Sequence, residues 1–420
     1  MSDKKQLDTE PYKGVRDFYP ADMAERKAMF GVIRNVLTSY GYEEYDASPL
    51  ERSELYEKKG NEEIIREQTY SFEDRGGRRI TLRPEMTPTL ARMVAGKRRE
   101  LIFPLRWFSI GNRFRYERMQ RGRTREFYQT DVDFIGLPEG EADVEALTIA
   151  STVLKAFGAT ENDFTIRVSS RALLGAACKA TGLTDEEGVR AYWQLLDKKA
   201  KMPAEEFEAA RKGNPDPLAA VEEATDPEVR AQKEKLFGMI ETIKARGITN
   251  ISFDPEIVRG FDYYTGMVFE VYDTDPKNSR SLFGGGRYDG LVALFGGDPI
   301  PAVGFAFSDV VIRDFLEIHN LLPQAKSVAG VYLGTPSTDT IPAAQEFAKT
   351  LRAAGISVFV NLSDKGLGDQ VKNADRRGIP FFIAYGQDEA SGTEIRIKNL
   401  ATGEETTVSK ADAAKTLSAK

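Results

Sequence analysis

The pattern of apolar and polar positions predicts different kinds of structure along the first 136 residues. Apolar residues at helical spacing follow Pro20 and Asp22 and end near Gly41, which predicts a long amphipathic helix. The segment EEYDASPLE then predicts a short strand reaching Pro49. From residue 70 to residue 136, short extended runs alternate with the glycine-containing connections DRGGRR and RMQRGR, interrupted by the helical pattern TPTLARMVAGKRR. Because glycine adopts positive φ at low cost, these connections predict hairpins and an antiparallel sheet.

The remaining residues predict an insertion and a second domain. Residues 170–249 are charged and helical in pattern, which indicates a helical insertion, and extended runs resume at residue 251. Residues 327–420 alternate extended and helical patterns, as is typical of a small α/β domain with a mainly parallel sheet and a late antiparallel pair. The predicted division is one domain over residues 1–324, carrying the insertion, and another over residues 327–420.

Composition narrows the chemistry that this chain of 420 residues can perform. It contains one cysteine, Cys178, and one histidine, His319, which excludes an internal disulfide and a zinc site built from histidine and cysteine. Cys178 lies in an apolar helical pattern and is predicted to be a core residue, whereas His319 is predicted to cap a helix or lie on the surface. The polar start and the lack of a long apolar run predict a cytoplasmic protein without a membrane span.

An arginine-rich stretch stands out because the chain has a formal net charge of -7. Within twenty residues there is one acid, Glu117, and there are seven arginines: Arg106, Arg113, Arg115, Arg118, Arg121, Arg123 and Arg125. A solvated basic face is one interpretation. Anion binding is the other, because the guanidinium fork pairs with two phosphate oxygens at once. No G-x-x-x-x-G-K-[ST] loop is present, so a bound nucleotide would have to be held by side chains.

Strand alternation groups these residues by face. Arg113, Arg115 and Glu117 share one face of the first strand, and Arg125, Phe127, Gln129, Asp131 and Asp133 share a face of the returning strand. Such a hairpin offers a phosphate fork, an acceptor, an aromatic platform and an amide. Those groups suit an ATP site on an antiparallel sheet.

The same stretch carries a family resemblance. FRYERMQRGRTREFYQTDVDFIG resembles motif 2 of class II aminoacyl-tRNA synthetases, and of histidyl-tRNA synthetases in particular. The segments YKGVRDFYP, YSFEDRGGRRITLRPEMT, VRGFDYYTGMVFEV and LFGGGRYDGLV are similar to further signatures of that family, and residues 327–420 resemble its anticodon-binding domain. The resemblance implies an α+β fold in which helices flank an antiparallel sheet. It also implies ATP-dependent activation of L-histidine, with Mg²⁺ accompanying ATP, and transfer to the 3′ end of tRNA(His).

The resemblance further implies roles for individual residues. Those implied for ATP are Arg115 at the α-phosphate, Arg123 at the γ-phosphate, Glu117 at the adenine amine and Phe127 stacked on adenine. Those implied for histidine are Glu85, Thr87 and Gln129 at the amino group, Asp133 and Tyr264 at the imidazole, and Tyr263 and Tyr288 lining the pocket. Arg259 would be the catalytic arginine beside the carboxylate and the α-phosphate, together with Arg115. Those implied for the tRNA acceptor end are Arg118, Gln120 and Arg121.

The chain departs from the family pattern at two positions. Asp133 stands where the family usually has glutamate, and Val311 stands where motif 3 normally has an arginine over the nucleotide phosphates. Arg313 lies two residues further on and, in a helix, would point about 200° away from that face. The motif 3 role is therefore not transferred to Arg313.

Two other functions stay open. One is a histidine-binding regulatory paralogue of the ATP phosphoribosyltransferase complex without ligase activity, although such paralogues usually lack the C-terminal domain and lose the motif 2 arginines. The other is a tRNA-binding sensor without chemistry, in which a complete nucleotide hairpin would have no task. The family resemblance also implies a homodimer, with the first helix and the strand through Pro49 at the interface.

Overall fold

The structure is a computed structural model, and it describes residues 7–57, 67–199, 202–211, 216–257, 263–278, 280–325 and 327–418. The chain divides into two compact units. The larger comprises Met1–Tyr19 and Met29–Pro323, and the smaller comprises Pro20–Ala28 and Gln324–Lys420. Within the described ranges, no helix is both long enough and apolar enough to cross a membrane.

The helices and strands between residues 20 and 323 are numbered in chain order. The helices are α1 (Pro20–Ser39), α2 (Glu54–Glu57), α3 (Thr87–Lys97), α4 (Glu141–Ala156), α5 (Arg171–Ala180), α6 (Glu186–Lys198), α7 (Ala204–Ala210), α8 (Pro217–Glu223), α9 (Pro227–Ala245) and α10 (Asp309–Ile318). The strands are β1 (Glu43–Glu44), β2 (Leu50–Arg52), β3 (Tyr70–Glu73), β4 (Arg79–Leu82), β5 (Leu105–Phe114), β6 (Glu126–Ile135), β7 (Phe164–Ser170), β8 (Ile251–Phe253), β9 (Met267–Asp273), β10 (Ser281–Arg287) and β11 (Ala302–Ser308).

A large sheet of eight strands organises the larger unit, in the order β1-β5-β6-β11-β10-β9-β7-β8. Its five central pairs, from β5-β6 to β9-β7, are antiparallel, and the two outermost pairs are parallel. The predicted antiparallel sheet, the long first helix and the hairpin between β5 and β6 are confirmed. The strands β2, β4 and β3 form a separate sheet of three strands.

Three strand predictions need correction. The single strand predicted from EEYDASPLE is wrong, because β1 and β2 belong to different sheets and Pro49 lies between them. The strand predicted to run through Glu117 ends at Phe114. Strands β7 and β11 were not predicted. Most residues of β11 are buried on both faces, so it lacks the alternation of a half-exposed strand, whereas the segment FTIRV of β7 does alternate apolar and polar residues and carries a strand signal.

The helical insertion shares its core with the sheet. Leu173 of α5 and Ile240 of α9 lie in one continuous apolar cluster with Phe269 and Val271 of the central strand β9. Helices that bury their apolar face against a sheet share one core with it. The insertion is therefore part of the larger unit.

Cys178 lies in the core, as predicted, and burial raises the pKa of its thiol to about 12. Since the thiolate is the reactive form, we expect alkylation of the native protein at pH 8 to be at least about 1000-fold slower than in denaturant. Mass spectrometry after timed exposure to iodoacetamide measures this. Similar rates in the native and the denatured chain would contradict the buried position.

The smaller unit contains a sheet of five strands in the order β13-β12-β14-β15-β16. Its strands are β12 (Val331–Gly334), β13 (Val358–Val360), β14 (Phe381–Ala384), β15 (Glu394–Asn399) and β16 (Glu405–Ser409), and its helices are α11 (Ile341–Ala353), α12 (Leu367–Arg376), α13 (Gln387–Ser391) and α14 (Ala413–Ser418). The pairs of β12 with β13 and β14 are parallel, and the later pairs are antiparallel. The predicted α/β architecture is thereby confirmed.

Candidate active site

A cavity of about 140 Å³ opens over the centre of the large sheet. Its walls come from residues 85–87 at the start of α3, from Arg115 just beyond β5, from β6, from the two residues 263–264 before β9, and from β10, the residue after it, and β11. The lining residues are Glu85, Thr87, Arg115, Gln129, Asp131, Asp133, Tyr263, Tyr264, Gly284, Tyr288, Gly304, Phe305 and Ala306. The structure thus brings together all the described residues that the resemblance assigns to histidine, with Arg115 beside them.

Asp133 is buried at the floor of the cavity. It pairs with Gly304 across β6 and β11, where a Cβ on residue 304 would collide with the aspartate side chain. The hydroxyl of Tyr288 donates to Oδ1, whereas Oδ2 is buried without a hydrogen-bond partner in the described part of the protein. Burial raises the pKa of Asp133 to about 8, and the nearby Asp131 acts in the same direction. A ligand with a hydrogen-bonding group would complete this site.

The raised pKa of Asp133 predicts a pH-dependent stability difference. Between its unfolded value near 3.8 and its folded value of about 8, the unfolded chain loses the proton more readily, so the contribution of Asp133 to stability falls as pH rises. We expect Asp133→Asn to raise the free energy of unfolding by roughly several kcal/mol at pH 8 and by little near pH 4. Urea denaturation at both pH values measures the difference. A gain that does not depend on pH would contradict this assignment.

Glu85 forms a second buried pair of an acid and a tyrosine. The hydroxyl of Tyr263 donates to Oε2 of Glu85 at 3.1 Å. Burial raises the pKa of Glu85 to about 7, although Arg115 opposes the shift. The ring of Tyr263 lies 5.0 Å from that of Tyr264 and 5.9 Å from that of Tyr288, so the three rings form one aromatic wall. Two acids in one cavity, each with its own tyrosine partner, suit a ligand with two cationic or hydrogen-bonding ends.

Arg115 lies just beyond the end of β5, where its side chain reaches the cavity. Its Nε donates to the carbonyl oxygen of Pro84 at 2.9 Å, and its guanidinium carbon lies 5.3 Å from the ring centre of Phe127. Burial lowers the pKa of Arg115, and Glu85 and Glu117 oppose that shift. Phe127 is 8% exposed and lies beneath this guanidinium. The cation is therefore held at the cavity by backbone and ring contacts.

The loop between β5 and β6 carries the other predicted nucleotide and tRNA residues. Nη1 of Arg123 lies 3.0 Å from Oε2 of Glu117, so the two residues assigned to opposite ends of ATP pair with each other. Oε1 of Gln120 accepts from Arg280 at 3.0 Å, and Nε of Arg121 lies 3.4 Å from Asp314 on α10. Arg118 is exposed. These loop residues do not line the cavity.

Three arginines without an assigned ligand have structural partners. Arg106 donates to both carboxylate oxygens of Glu145, at 2.8 and 3.0 Å. Arg113 is fully buried, and its Nη2 lies 2.6 Å from Oδ2 of Asp131. The guanidinium of Arg125 lies 3.8 Å from the ring centre of Tyr116. The ion-pair interpretation is confirmed for the first two.

Asp131 is the charged residue of the cavity lining to which sequence reasoning assigned no role. Its only signal was the alternation that places it on one face of β6 with Gln129 and Asp133. Its partner Arg113 was recognised only as part of a charged run. A pair of residues on two strands becomes visible only when their register is known.

Position 311 lies on the first turn of α10, where Ser308 caps the helix by accepting from the amide of Val311. Val311 packs against the apolar core, and its Cγ2 lies 3.8 Å from where a Cβ on Gly122 would stand. Arg313 lies in the same helix, and its Nη1 lies 2.9 Å from Oε2 of Glu317.

Arg259, which the resemblance implies as the catalytic arginine, lies outside the described residues.

Comparisons with known proteins show which family the chain resembles. The profile of the family described as histidyl-tRNA synthetase matches residues 14–309, and that of the anticodon binding domain matches residues 327–420. The histidine–tRNA ligase of Leptospira biflexa is 40% identical over 98% of this chain and 97% of its own length, and that of Natronomonas pharaonis is 37% identical over 94% and 95%. In fold, a histidyl-tRNA synthetase of Nostoc sp. PCC 7120 superposes with a TM-score of 0.82 at 23% identity, covering 99% of this chain and all of that one.

Two profiles that together span most of the chain, and relatives that match it from end to end, lead to one conclusion. The chain belongs to the histidyl-tRNA synthetase family.

Proposed function

We propose that the chain activates L-histidine with ATP to histidyl-adenylate and transfers the histidyl group to the 3′ end of tRNA(His). The observation that carries this proposal is the cavity itself, whose lining combines two buried acids, each paired with a tyrosine hydroxyl, with the guanidinium of Arg115. Residues 1–324 would perform both steps, and residues 327–420 would bind the anticodon. The relatives that match both parts bear the name histidine–tRNA ligase.

The amino acid would lie with its ammonium group toward Glu85, Thr87 and Gln129. Its imidazole would reach Asp133, whose buried Oδ2 can accept from a ring N–H, while Tyr264 faces the other nitrogen. Rejecting a ring without nitrogens follows from this geometry, because such a ring would leave buried polar atoms unpaired. Aspartate is one methylene shorter than glutamate, and here Tyr288 orients it.

ATP would bind with its α-phosphate at Arg115. The ion pair between Arg123 and Glu117 would open, because the γ-phosphate then takes the guanidinium and the adenine amine takes the carboxylate. A carboxylate oxygen of histidine attacks the α-phosphorus and pyrophosphate leaves. Because negative groups approach one another, a fixed cation lowers the barrier, and no general base is needed. Arg259 is proposed to share this task with Arg115.

Mg²⁺ is expected to arrive with ATP. In the described ranges, no three carboxylate, histidine or cysteine side chains are grouped so that they could hold a metal ion. Mg²⁺ in proteins is commonly bound through one or two carboxylates and the phosphates of a nucleotide. Its charge would add to that of the arginines.

A cytoplasmic homodimer is proposed, and the structure suggests which surface it uses. The apolar face of α1 is buried in its own chain, through residues such as Ile33 and Leu37. Leu50 on β2 and Phe72 on β3 remain 49% and 48% exposed. The sheet of three strands, rather than the apolar face of α1, is thus the proposed contact, and sedimentation of a Leu50→Lys variant tests it.

Histidine-dependent exchange of pyrophosphate into ATP tests the proposed activity. Exchange with the purified protein supports the ligase, and tight histidine binding without exchange would favour the regulatory paralogue. That alternative is less supported, because the matching relatives are ligases and the anticodon-binding profile covers residues 327–420. The sensor alternative predicts tRNA binding with neither histidine binding nor exchange.

Arg123→Ala is expected to raise the KM for ATP by about tenfold to a hundredfold, which corresponds to one lost charge-assisted hydrogen bond to phosphate. The effect should be large here because Val311 offers no cation at the motif 3 position. Exchange kinetics at varied ATP measure it, with Arg99→Ala as a control outside the hairpin. An unchanged KM for ATP would remove Arg123 from the nucleotide site.

A further inference from the structure

Beneath the cavity, four polar side chains form a network that joins β5 to β6. Oδ2 of Asp131 accepts from Nη2 of Arg113 at 2.6 Å, and Oδ1 accepts from Nε2 of Gln129 at 2.6 Å. The same Nη2 of Arg113 also donates to Ser109, which faces Asp131 across the two strands. Arg113 is fully buried and Asp131 is 3% exposed, yet Asp131 and Gln129 both line the cavity.

The position of Arg113 is itself tightly determined. A Cβ on Gly111 would collide with the guanidinium of Arg83 and stand 3.1 Å from Nη1 of Arg113, so the two cations lie side by side over this glycine. Nη1 of Arg83 donates to Oδ1 of Asp46 at 2.9 Å and to the carbonyl oxygen of Ala47 at 2.6 Å. Arg113 therefore has little freedom to leave Asp131.

This network decides which way the amide of Gln129 points. A carboxylate paired with a guanidinium only accepts hydrogen bonds, so the group of Gln129 that faces it must be the NH₂. The carbonyl oxygen Oε1 is then turned away from Asp131. In the part of the chain that the structure describes, Oε1 receives no hydrogen bond.

We propose that Asp131, held by Arg113, is a positioning residue that orients the amide of Gln129 so that its Oε1 accepts from the ammonium group of the amino-acid substrate. The inference rests on the proposed function and adds a residue to it. A buried ion pair alone contributes little net stability, because desolvation offsets the attraction. The role of the Arg113–Asp131 pair is to keep the NH₂ of Gln129 facing Asp131, so that Oε1 of Gln129 faces away from it.

Asp131→Asn is the first test. An asparagine cannot offer oxygens to both Arg113 and Gln129, so its NH₂ would face Gln129 and turn the NH₂ of that glutamine toward the substrate ammonium. We expect the KM for histidine in pyrophosphate exchange to rise at least about tenfold, with the KM for ATP nearly unchanged. Calorimetric titration of histidine into each variant measures the same loss without catalysis.

A reciprocal double variant, Asp131→Asn with Gln129→Glu, supplies the sharper test. The introduced asparagine would then accept from Arg113 and donate to one oxygen of the introduced glutamate, leaving the other oxygen for the ammonium group. We expect the histidine KM to return to within about threefold of the wild-type value, since the number of hydrogen bonds is restored. Gln129→Glu alone places two carboxylates face to face, so it is expected to bind histidine more weakly than the double variant.

The outcomes separate this inference from the proposed function. Wild-type protein that neither binds histidine nor supports exchange overturns the proposed function. Wild-type binding together with an unchanged histidine KM in Asp131→Asn overturns this inference alone. Loss of the histidine and ATP affinities together, with a lower melting temperature and no rescue in the double variant, assigns Asp131 a structural role and also overturns it. If Asp131→Asn does not fold, the comparison of Gln129→Glu with the double variant decides in the same way.

Discussion

Arg115→Ala is expected to lower histidine-dependent pyrophosphate exchange by at least about 1000-fold, the scale seen when a phosphate-stabilising arginine is lost. Arg115 is the described guanidinium that lines the cavity, and the carbonyl oxygen of Pro84 and the ring of Phe127 hold it there. Val311 supplies no charge, and among the described residues Arg115 is the arginine of the cavity lining, so its loss leaves the cavity without a guanidinium for the α-phosphate. Arg115→Lys should recover only part of the rate, because an ammonium group cannot pair with two phosphate oxygens at once.

Arg106→Ala is the matched control for this variant. Arg106 lies on β5 of the same strand pair, but it pairs with Glu145, and neither residue lines the cavity. We expect it to cost some stability and to leave the KM for ATP and the exchange rate of the folded fraction nearly unchanged. If both alanine variants lose activity in proportion to their loss of folded protein, Arg115 has no specific part in the chemistry.

Asp133→Ala is expected to lower kcat/KM for histidine by about 100-fold, the scale of one or two hydrogen bonds to a buried charged group. The variant removes the acceptor proposed for the imidazole and leaves the hydroxyl of Tyr288 without this partner. The KM for ATP should change little, because the role proposed for Asp133 is binding of histidine rather than of ATP. Exchange kinetics at varied histidine and varied ATP separate the two effects.

Selectivity gives the second measurement on the same variant. The wild-type site should reject phenylalanine by on the order of 10⁴ to 10⁵, and most of that preference should disappear in Asp133→Ala. Asp163→Ala is the control, because Asp163 contacts His319 rather than the cavity. Equal kinetics with and without the Asp133 carboxyl would show that the imidazole binds elsewhere.

Replacing Asp133 by asparagine is expected to change stability and histidine binding in opposite directions. Asp133→Asn should be more stable than the wild-type protein at pH 8, yet bind histidine more weakly, because the amide is a poorer acceptor than a carboxylate. A residue that costs stability in order to bind a ligand is typical of functional sites. Glu85, whose pKa burial raises to about 7, follows the same logic.

Much of the fold was predictable from local pattern. Helix α1 and the hairpin of β5 and β6 follow from apolar spacing and from glycines at the turns, because these signals depend on neighbouring residues alone. Strand β11 was not predictable in this way, since both of its faces are largely buried. Strand β7 does alternate apolar and polar residues in FTIRV, so its local pattern was sufficient to indicate a strand. The division of residues 43–52 between two sheets depended on partners distant in the sequence.

The sequence by itself determined the family, the alternation of residues on the hairpin and the absence of an arginine at position 311, because each is a matter of residue identity and spacing. Only the tertiary structure decided that Tyr288 partners Asp133, that Tyr263 partners Glu85, and that Arg113 is buried against Asp131. These pairs join residues that strand register brings together. Their altered pKa values follow from burial, which no local pattern of residues specifies.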